Sequence, residues 1–296
     1  MREFPEEPLW QSIKKHIDMN MDLMDVIIHD GSIQYSFDNP AYPDGRSIAS
    51  ARIREYTTTL GIDVQGYSGK GLHEQFLTSV KLFAFIEKTI AWFHRHAPHA
   101  SCRPDAIIPT GDGALLFFGE SVMSFSRALN FAIVLNMHIQ ATNEEYPLIG
   151  ATYDGLNIPT RFSIAMGNSI MMRDPNGNVN VVGESIIRCA RLLSCDKKIH
   201  FLLDCVAANN LVQNFGSIGA GIGACTNILL ENIETTISDR ITKTIKGVAY
   251  GFHNITLTHD IMALKDDLQE ERRRVGDSHP FTVGTKDLAG IEKDGV

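Results

Sequence analysis

The 296-residue chain has no uninterrupted apolar run near the ~18 residues of a membrane-crossing helix, so no spanning segment is expected. Its first residues, MREFPEEPLW, carry no basic region followed by an apolar core, and no secretory leader is expected either. Asn254-Ile255-Thr256 is a glycosylation sequon, but nothing else points to secretion. Cysteine is sparse: five residues, an odd number, without C-x-x-C spacing. That excludes a disulfide framework and the common zinc signatures, and it reads as buried thiols in a reducing cytoplasm. Positive charge is in deficit, with a net charge of −8. No basic footprint for duplex nucleic acid remains, and a polyphosphate would need bound cations to approach such a surface. What is present is a hydrophobic fraction of 44% with charges of both signs interspersed, enough for a real core and unlike a disordered chain.

Apolar periodicity divides the chain. Trp10, Ile13, Ile17, Met21, Met24 and Ile28 step by three or four and predict an amphipathic N-terminal helix. Turn chemistry from Asp30 to Arg46 predicts a loop, so residues 1–50 are expected to form an extension. Arg54 to Ile62 alternates as a strand, and Phe76 to Phe93 marks a long helix ending in three histidines, His94, His96 and His99. These read as solvated residues at a helix C-terminus, with metal ligation as the alternative. Ala106 to Glu120 predicts a hairpin, Val122 to Ile139 a second helix, and Arg161 to Met171 a strand. A turn at Asp174 to Gly177, a return strand to Val182, a helix opened by Gly183 and a strand over Ile199 to Leu203 complete an α/β (α+β) pattern. The glycine-rich GSIGAGIGA (216–224) lacks the strand, helix and acid of a dinucleotide fingerprint and is expected to be a loop. Residues 51–258 are thus expected to form the main domain, and 259–296 a charged helix and mobile tail.

Two acids stand out. Asp63 ends a strand before Val64-Gln65-Gly66-Tyr67-Ser68 and a helix. There it could cap that helix or hold a cation while the turn's N–H groups face phosphate. Asp112 sits at the tip of Thr110-Gly111-Asp112-Gly113, where Asp-Gly is also simply a favoured hairpin turn. If the hairpin lies beside the first strand, the two carboxylates meet at one sheet end. Such a pair can hold two divalent ions about 3.5–4 Å apart.

Five segments in order resemble the catalytic domain of class III nucleotidyl cyclases, the adenylate and guanylate cyclase superfamily, over about Tyr56 to Leu257. DVQGYS (63–68) is similar to the first metal motif D-I-x-G-F-[ST], and Thr110-Gly111-Asp112 to the second. RFSIAMG (161–167) resembles R-V-G-I-x-x-G, GESIIRCARL (183–192) resembles G-x-x-V-N-x-A-x-R-L, and Lys246-Gly247-Val248 resembles K-G-V. The resemblance implies a ferredoxin-like core with a mostly antiparallel sheet and packed helices. It implies two Mg²⁺ or Mn²⁺ ions per site on Asp63, Asp112 and the Val64 carbonyl, with the amides of Gln65, Gly66, Tyr67 and Ser68 around the β- and γ-phosphates of a nucleoside triphosphate. It assigns Arg191 to charge on the α-phosphate across a head-to-tail homodimer with shared active sites, and makes Lys246 a second phosphate contact. Without the family, Arg191 reads as a surface helix arginine paired with Asp196 or another acid, and Lys246 as a strand-edge lysine. No G-G-[DE]-E-F turn is present, which disfavours a diguanylate-cyclase relative.

Three positions depart from the purine-cyclase pattern. Ile108 stands where a lysine contacts adenine, Asn180 where an aspartate reads the exocyclic amine, and Ile187 at the helical asparagine. Losing polar readers in a buried pocket is unfavourable for the original base. As a short single-domain cyclase with an added N-terminal helix and no attached sensor, the chain resembles the Pycsar pyrimidine cyclases of bacterial antiphage defence, a likeness the three departures support. It implies cyclic UMP or cyclic CMP as product, with UTP favoured over CTP, and a downstream cyclic-nucleotide effector. A purine cyclase and a degenerate nucleotide-binding regulator are the alternatives.

Overall fold

The computed structural model of the protein describes residues 25–29, 32–38, 46–96, 102–119, 123–145, 158–173, 179–195, 201–226 and 234–258. All of them but Thr258 belong to one compact unit, Met1–Leu257. Most of the expected N-terminal helix, His99, the Asp174–Gly177 turn, and the charge run and tail beyond Thr258 lie outside the described residues.

The long strand β3 (Arg46–Val64) organises the sheet. On one edge it pairs antiparallel with β6 (Thr160–Arg173) along nearly its whole length. Its other edge is shared by β2 (Ser32–Asp38) at the start and by β5 (Gly113–Phe118) at the end. Between those halves the register against β6 shifts between Arg54 and Thr57, and Tyr56 has φ 51°. Such a bulge bends and twists a strand, which here separates the half that meets β2 from the half that carries Asp63.

β4 (Ala106–Pro109) pairs with β5, giving the local strand order β6-β3-β5-β4, antiparallel throughout. Helix α1 (Leu72–His96) connects β3 to β4, and α2 (Ser124–Glu145) connects β5 to β6. Two interleaved β-α-β units of this kind make a ferredoxin-like core. Further strands extend it: β1 (Asp25–His29) on β2, β7 (Val179–Gly183) on β6, and β8 (Phe201–Asp204) parallel to β6. β11 (Val248–Thr258) joins β8 and is flanked by β10 (Ile241–Ile245) and β9 (Glu234–Ile237).

Period-two alternation in β3 divides its side chains between two layers. Leu60 and Ile62 are fully buried on the face of α1 and α2, where Thr58 meets Ser124 of α2 at 3.0 Å. Phe93 of α1 and Phe118 of β5 both pack on Phe131 of α2. The opposite face receives α3 (Glu184–Leu193), whose Cys189 and Leu192 join Leu115, Ala165, Leu202 and Phe252 in a second cluster. Every residue of β5 is buried, as expected for a strand covered on both faces.

Three expectations are corrected. Ile28, the last position of the predicted N-terminal helix, lies in β1 and pairs with Ile33. The segment read as loop contains β2, whose Ile33, Tyr35 and Phe37 alternate with polar residues directly after the Asp30-Gly31 hairpin signal. The sheet therefore runs without a break through residue 50, inside β3. The glycine-rich stretch is not a loop: α4 (Cys205–Phe215) ends at Gly216, and α5 (Ile218–Thr226) begins at once, with Ser217 Oγ accepting from the Ala220 amide at 3.1 Å. A Cβ on Gly221 would stand 2.8 Å from the Leu211 side chain. The small residue there admits close helix packing rather than flexibility.

Candidate active site

Asp63 is the penultimate residue of β3 and sits in register with Gly113 of β5 on one side and Arg161 of β6 on the other. The next amide, Val64 N–H, donates to the Asp112 carbonyl at 2.8 Å, and Thr110 N–H donates to Gly113 O at 3.1 Å to close the hairpin turn. The hairpin approaches so closely that a Cβ on residue 113 would lie 1.9 Å from the Ile62 carbonyl oxygen. Glycine is therefore obligatory after Asp112, and the acid is held by backbone at the end of β3.

The carboxyl of Asp63 is pushed above the usual carboxylate range, chiefly by burial. Arg161 opposes the shift by hydrogen bonding and charge, while the neighbouring carboxyl of Asp112 adds to it. The two acids predicted from distant parts of the chain thus meet at one sheet end. Arg161 was visible only as the first residue of a motif, and the structure gives it a position that sequence reasoning did not. Its Nε donates to Asp63 Oδ2 at 2.8 Å, its Nη2 also contacts Oδ2, and both side chains are about seven-eighths buried. A cross-strand opposite-charge pair is the ordinary reason for such neighbours, but register cannot be read from one sequence.

After Val64 the chain enters a single 3-10 turn (Tyr67–Gly69) that leads into α1. The amide of Gln65 is not available to a phosphate, because it donates to the Pro159 carbonyl at 2.8 Å. This removes Gln65 from the predicted set; the amides of Gly66, Tyr67 and Ser68 stand at the start of the turn and have no intrahelical acceptor. The turn is braced from below: Tyr67 Oη bonds Ser79 Oγ at 3.0 Å, and Gln75 Nε2 donates to the Lys70 carbonyl at 3.0 Å. Between this turn, α1 and the hairpin lies a cavity of about 310 Å³ lined by Val64, Tyr67, Leu82, Phe83, Pro109 and Asp112.

The remaining predicted residues lie elsewhere. Ile108, on β4, is half-buried and packs with Val179 and Ile186 against Ala106, Phe117 and Val181. Asn180 is exposed on β7, and its side-chain oxygen accepts from the Val181 amide at 2.8 Å. Ile187 and Arg191 are one turn apart on α3, with Ile187 51% exposed. Lys246 is exposed in the β10–β11 turn at φ 50°. None of Arg191, Asn180, Ile187 and Lys246 bonds either acid among the described residues. Arg191 makes no ion pair there, whereas Arg188 on the same helix reaches Glu184 and Asp204.

Among the described residues no group of three or more His, Cys, Asp and Glu side chains converges. His96 bonds the Trp92 carbonyl at 3.0 Å and stacks on the Trp92 ring, which fits the solvated helix-end reading. The oxygen donors that converge here, two carboxylates at a strand end, fit Mg²⁺ or Mn²⁺. Such ions bind through one or two carboxylates and complete their shell with water and phosphate oxygens. A shared cation would relieve the repulsion that the Asp112 charge exerts on Asp63.

No family model and no curated protein matches the chain. Among solved structures, the chain is similar to the catalytic core of a rhodopsin-guanylyl cyclase with converted specificity in complex with ATPalphaS, at 17% identity over 70% of this chain and 98% of that one, TM-score 0.48. It is similar to the guanylate cyclase domain of RhGC from Catenaria anguillulae in complex with GTP, at 16% identity over 69% and 98%, TM-score 0.47. The adenylyl cyclase CyaB from P. aeruginosa follows at 12% identity over 72% and 98%, TM-score 0.44.

Proposed function

We propose that the protein is a nucleotidyl cyclase acting on a pyrimidine nucleoside triphosphate, UTP before CTP, as a head-to-tail homodimer in the cytoplasm. The observation that carries this reading is the convergence of Asp63 and Asp112, with Val64 N–H tied to the Asp112 carbonyl at 2.8 Å. Asp63, Asp112 and the Val64 carbonyl would hold the Mg²⁺ or Mn²⁺ pair, whose charge, when bound, lowers the pKa of the 3′-hydroxyl and neutralises the triphosphate. Gly66, Tyr67 and Ser68 offer amides to the β- and γ-phosphates. In the reaction the 3′-hydroxyl gives up its proton to solvent, its oxygen forms a bond to the α-phosphorus, the bond from that phosphorus to the bridging oxygen breaks, and pyrophosphate leaves.

Arg191 suits a role across the subunit boundary, because it is partly exposed and has no ionic partner within its own protomer among the described residues. A guanidinium stays charged at any working pH and can fork onto two phosphate oxygens. Lys246, exposed on its turn, would add a second cation. Ile108 in an apolar cluster, Ile187 outward on α3, and Asn180 with its oxygen already engaged offer little to the polar edge of a purine. They leave the Asn180 amide group as a donor for a one-ring base. A product of this kind would act through a cyclic-nucleotide effector, consistent with a defence signal against phage.

The test is to incubate purified protein with Mn²⁺ and each of the four nucleoside triphosphates separately, then identify products by mass. Cyclic UMP or cyclic CMP, abolished by Asp63→Ala and by Asp112→Ala, is the expected result. Cyclic AMP or cyclic GMP would mark a purine cyclase instead, and nucleotide binding without pyrophosphate release a non-catalytic regulator.

A further inference from the structure

The acid pair already has a cation of its own. Arg161 projects from β6 directly opposite Asp63, and two of its nitrogens converge on the same carboxylate oxygen, Oδ2. The fork does not straddle the carboxylate, so Oδ1 is not engaged by it. Both side chains are shielded from water, at 13% and 14% exposure, so the attraction is screened far less than at a surface. Asp112, by contrast, is exposed and has no ion pair among the described residues. One guanidinium therefore cancels one of the two carboxylate charges.

Resting on the two-cation reading above, we infer that Arg161 is the resident counter-ion of the site and sets the order in which cations load. With Arg161 in place, Asp63 Oδ1 and the Asp112 carboxylate would remain to hold a first divalent ion. A second cation would compete with the guanidinium for Asp63 Oδ2 and would meet its positive charge. The first site is then occupied by free metal, and the second fills only when a ligand brings further negative charge. Arg161 is a positioning residue in this scheme, acting through Asp63.

Direct Mn²⁺ binding without nucleotide tests it, with free Mn²⁺ counted by electron paramagnetic resonance for wild type, Arg161→Gln, Arg161→Lys and Asp63→Asn. Wild type is expected to bind one ion per chain. Arg161→Gln should bind two, or bind the first roughly tenfold more tightly, because a nearby positive charge has gone. Arg161→Lys, which keeps the charge, should stay close to wild type. A merely structural arginine would give the opposite sign, since a disordered Asp63 binds metal less well. Equal or weaker binding in Arg161→Gln, with the Asp63 dependence retained, overturns the counter-ion role and leaves the two-acid site standing. Absence of any Asp63-dependent Mn²⁺ binding in all four proteins overturns both.

Discussion

Buried titratable groups show how single residues are held in this protein. His138 on α2 is 1% exposed, and its Nδ1 lies 3.0 Å from Thr89 Oγ1. The Thr89 hydroxyl proton is already donated to the Phe85 carbonyl at 2.8 Å, so Nδ1–H donates to the threonine oxygen and fixes that tautomer. Burial first, and then the charges of Lys88 and Arg95, push the imidazole down to about 3. A folded-state pKa below the unfolded value favours the neutral form, so this contribution is complete above about pH 6.5 and is lost as pH falls toward 3. Between pH 7.5 and pH 5 the loss is about 2 kcal/mol. Urea unfolding at those two pH values should show a larger difference for wild type than for His138→Gln. Equal differences would show that His138 already titrates in the folded protein.

At the scale of elements, α3 is the piece whose seating matters most for Arg191. Four hydroxyls clamp its first turn to the sheet: Ser185 Oγ lies 2.8 Å from Thr59, 2.7 Å from Ser169 and 3.3 Å from Thr57. Its last turn rests on Gly61, where a Cβ would stand 2.6 Å from Ser163 Oγ, 2.7 Å from Cys189 Sγ and 2.8 Å from Leu193. Gly61→Ala should therefore lift α3 from β3, destabilise by about 1–3 kcal/mol, and lower turnover by displacing Arg191 without touching either acid. A thermal melt and the cyclase assay on the same preparation check both parts. Helix α4 depends on one residue, Asp204, whose Oδ1 accepts from the Val206 and Ala207 amides. Asp204→Ala should lower stability by about 1–2 kcal/mol through the lost cap, whereas Asp204→Asn keeps the acceptor and should lose less. Chemical denaturation separates the two.

On the scale of the whole molecule, the proposal places the acids and Arg191 in complementary halves of each site. Asp63→Ala and Arg191→Ala chains should each be inactive, or nearly so, alone. Mixed after subunit exchange, they should recover about a quarter of wild-type activity, since half the dimers then hold one intact site of two. A mixture as inactive as its components would place Arg191 outside the site, or the acids and arginine in one subunit.

Much of the core was legible in the sequence, since α1, α2, the hairpin and the strand of Asp63 rest on local periodicity and turn residues. Local signals mislead where they compete. Helical spacing ran past Met24 into β1, alternation in β2 lay among turn residues, and glycines that permit helix contact in α5 looked like a loop. Asp63 and Asp112 could be named from sequence because each sits in a turn of recognisable chemistry. Arg161, and the engagement of the Gln65 amide by Pro159, could not be named.

The sequence by itself determined which residues carry charge at strand ends, which segments can be helices or strands, and that a polyphosphate would need cations here. Only the tertiary structure decided which atoms face one another, because strand register and hairpin placement are set by packing between segments far apart in the chain. That is why two acids could be foreseen, while the arginine already bound to one of them could not.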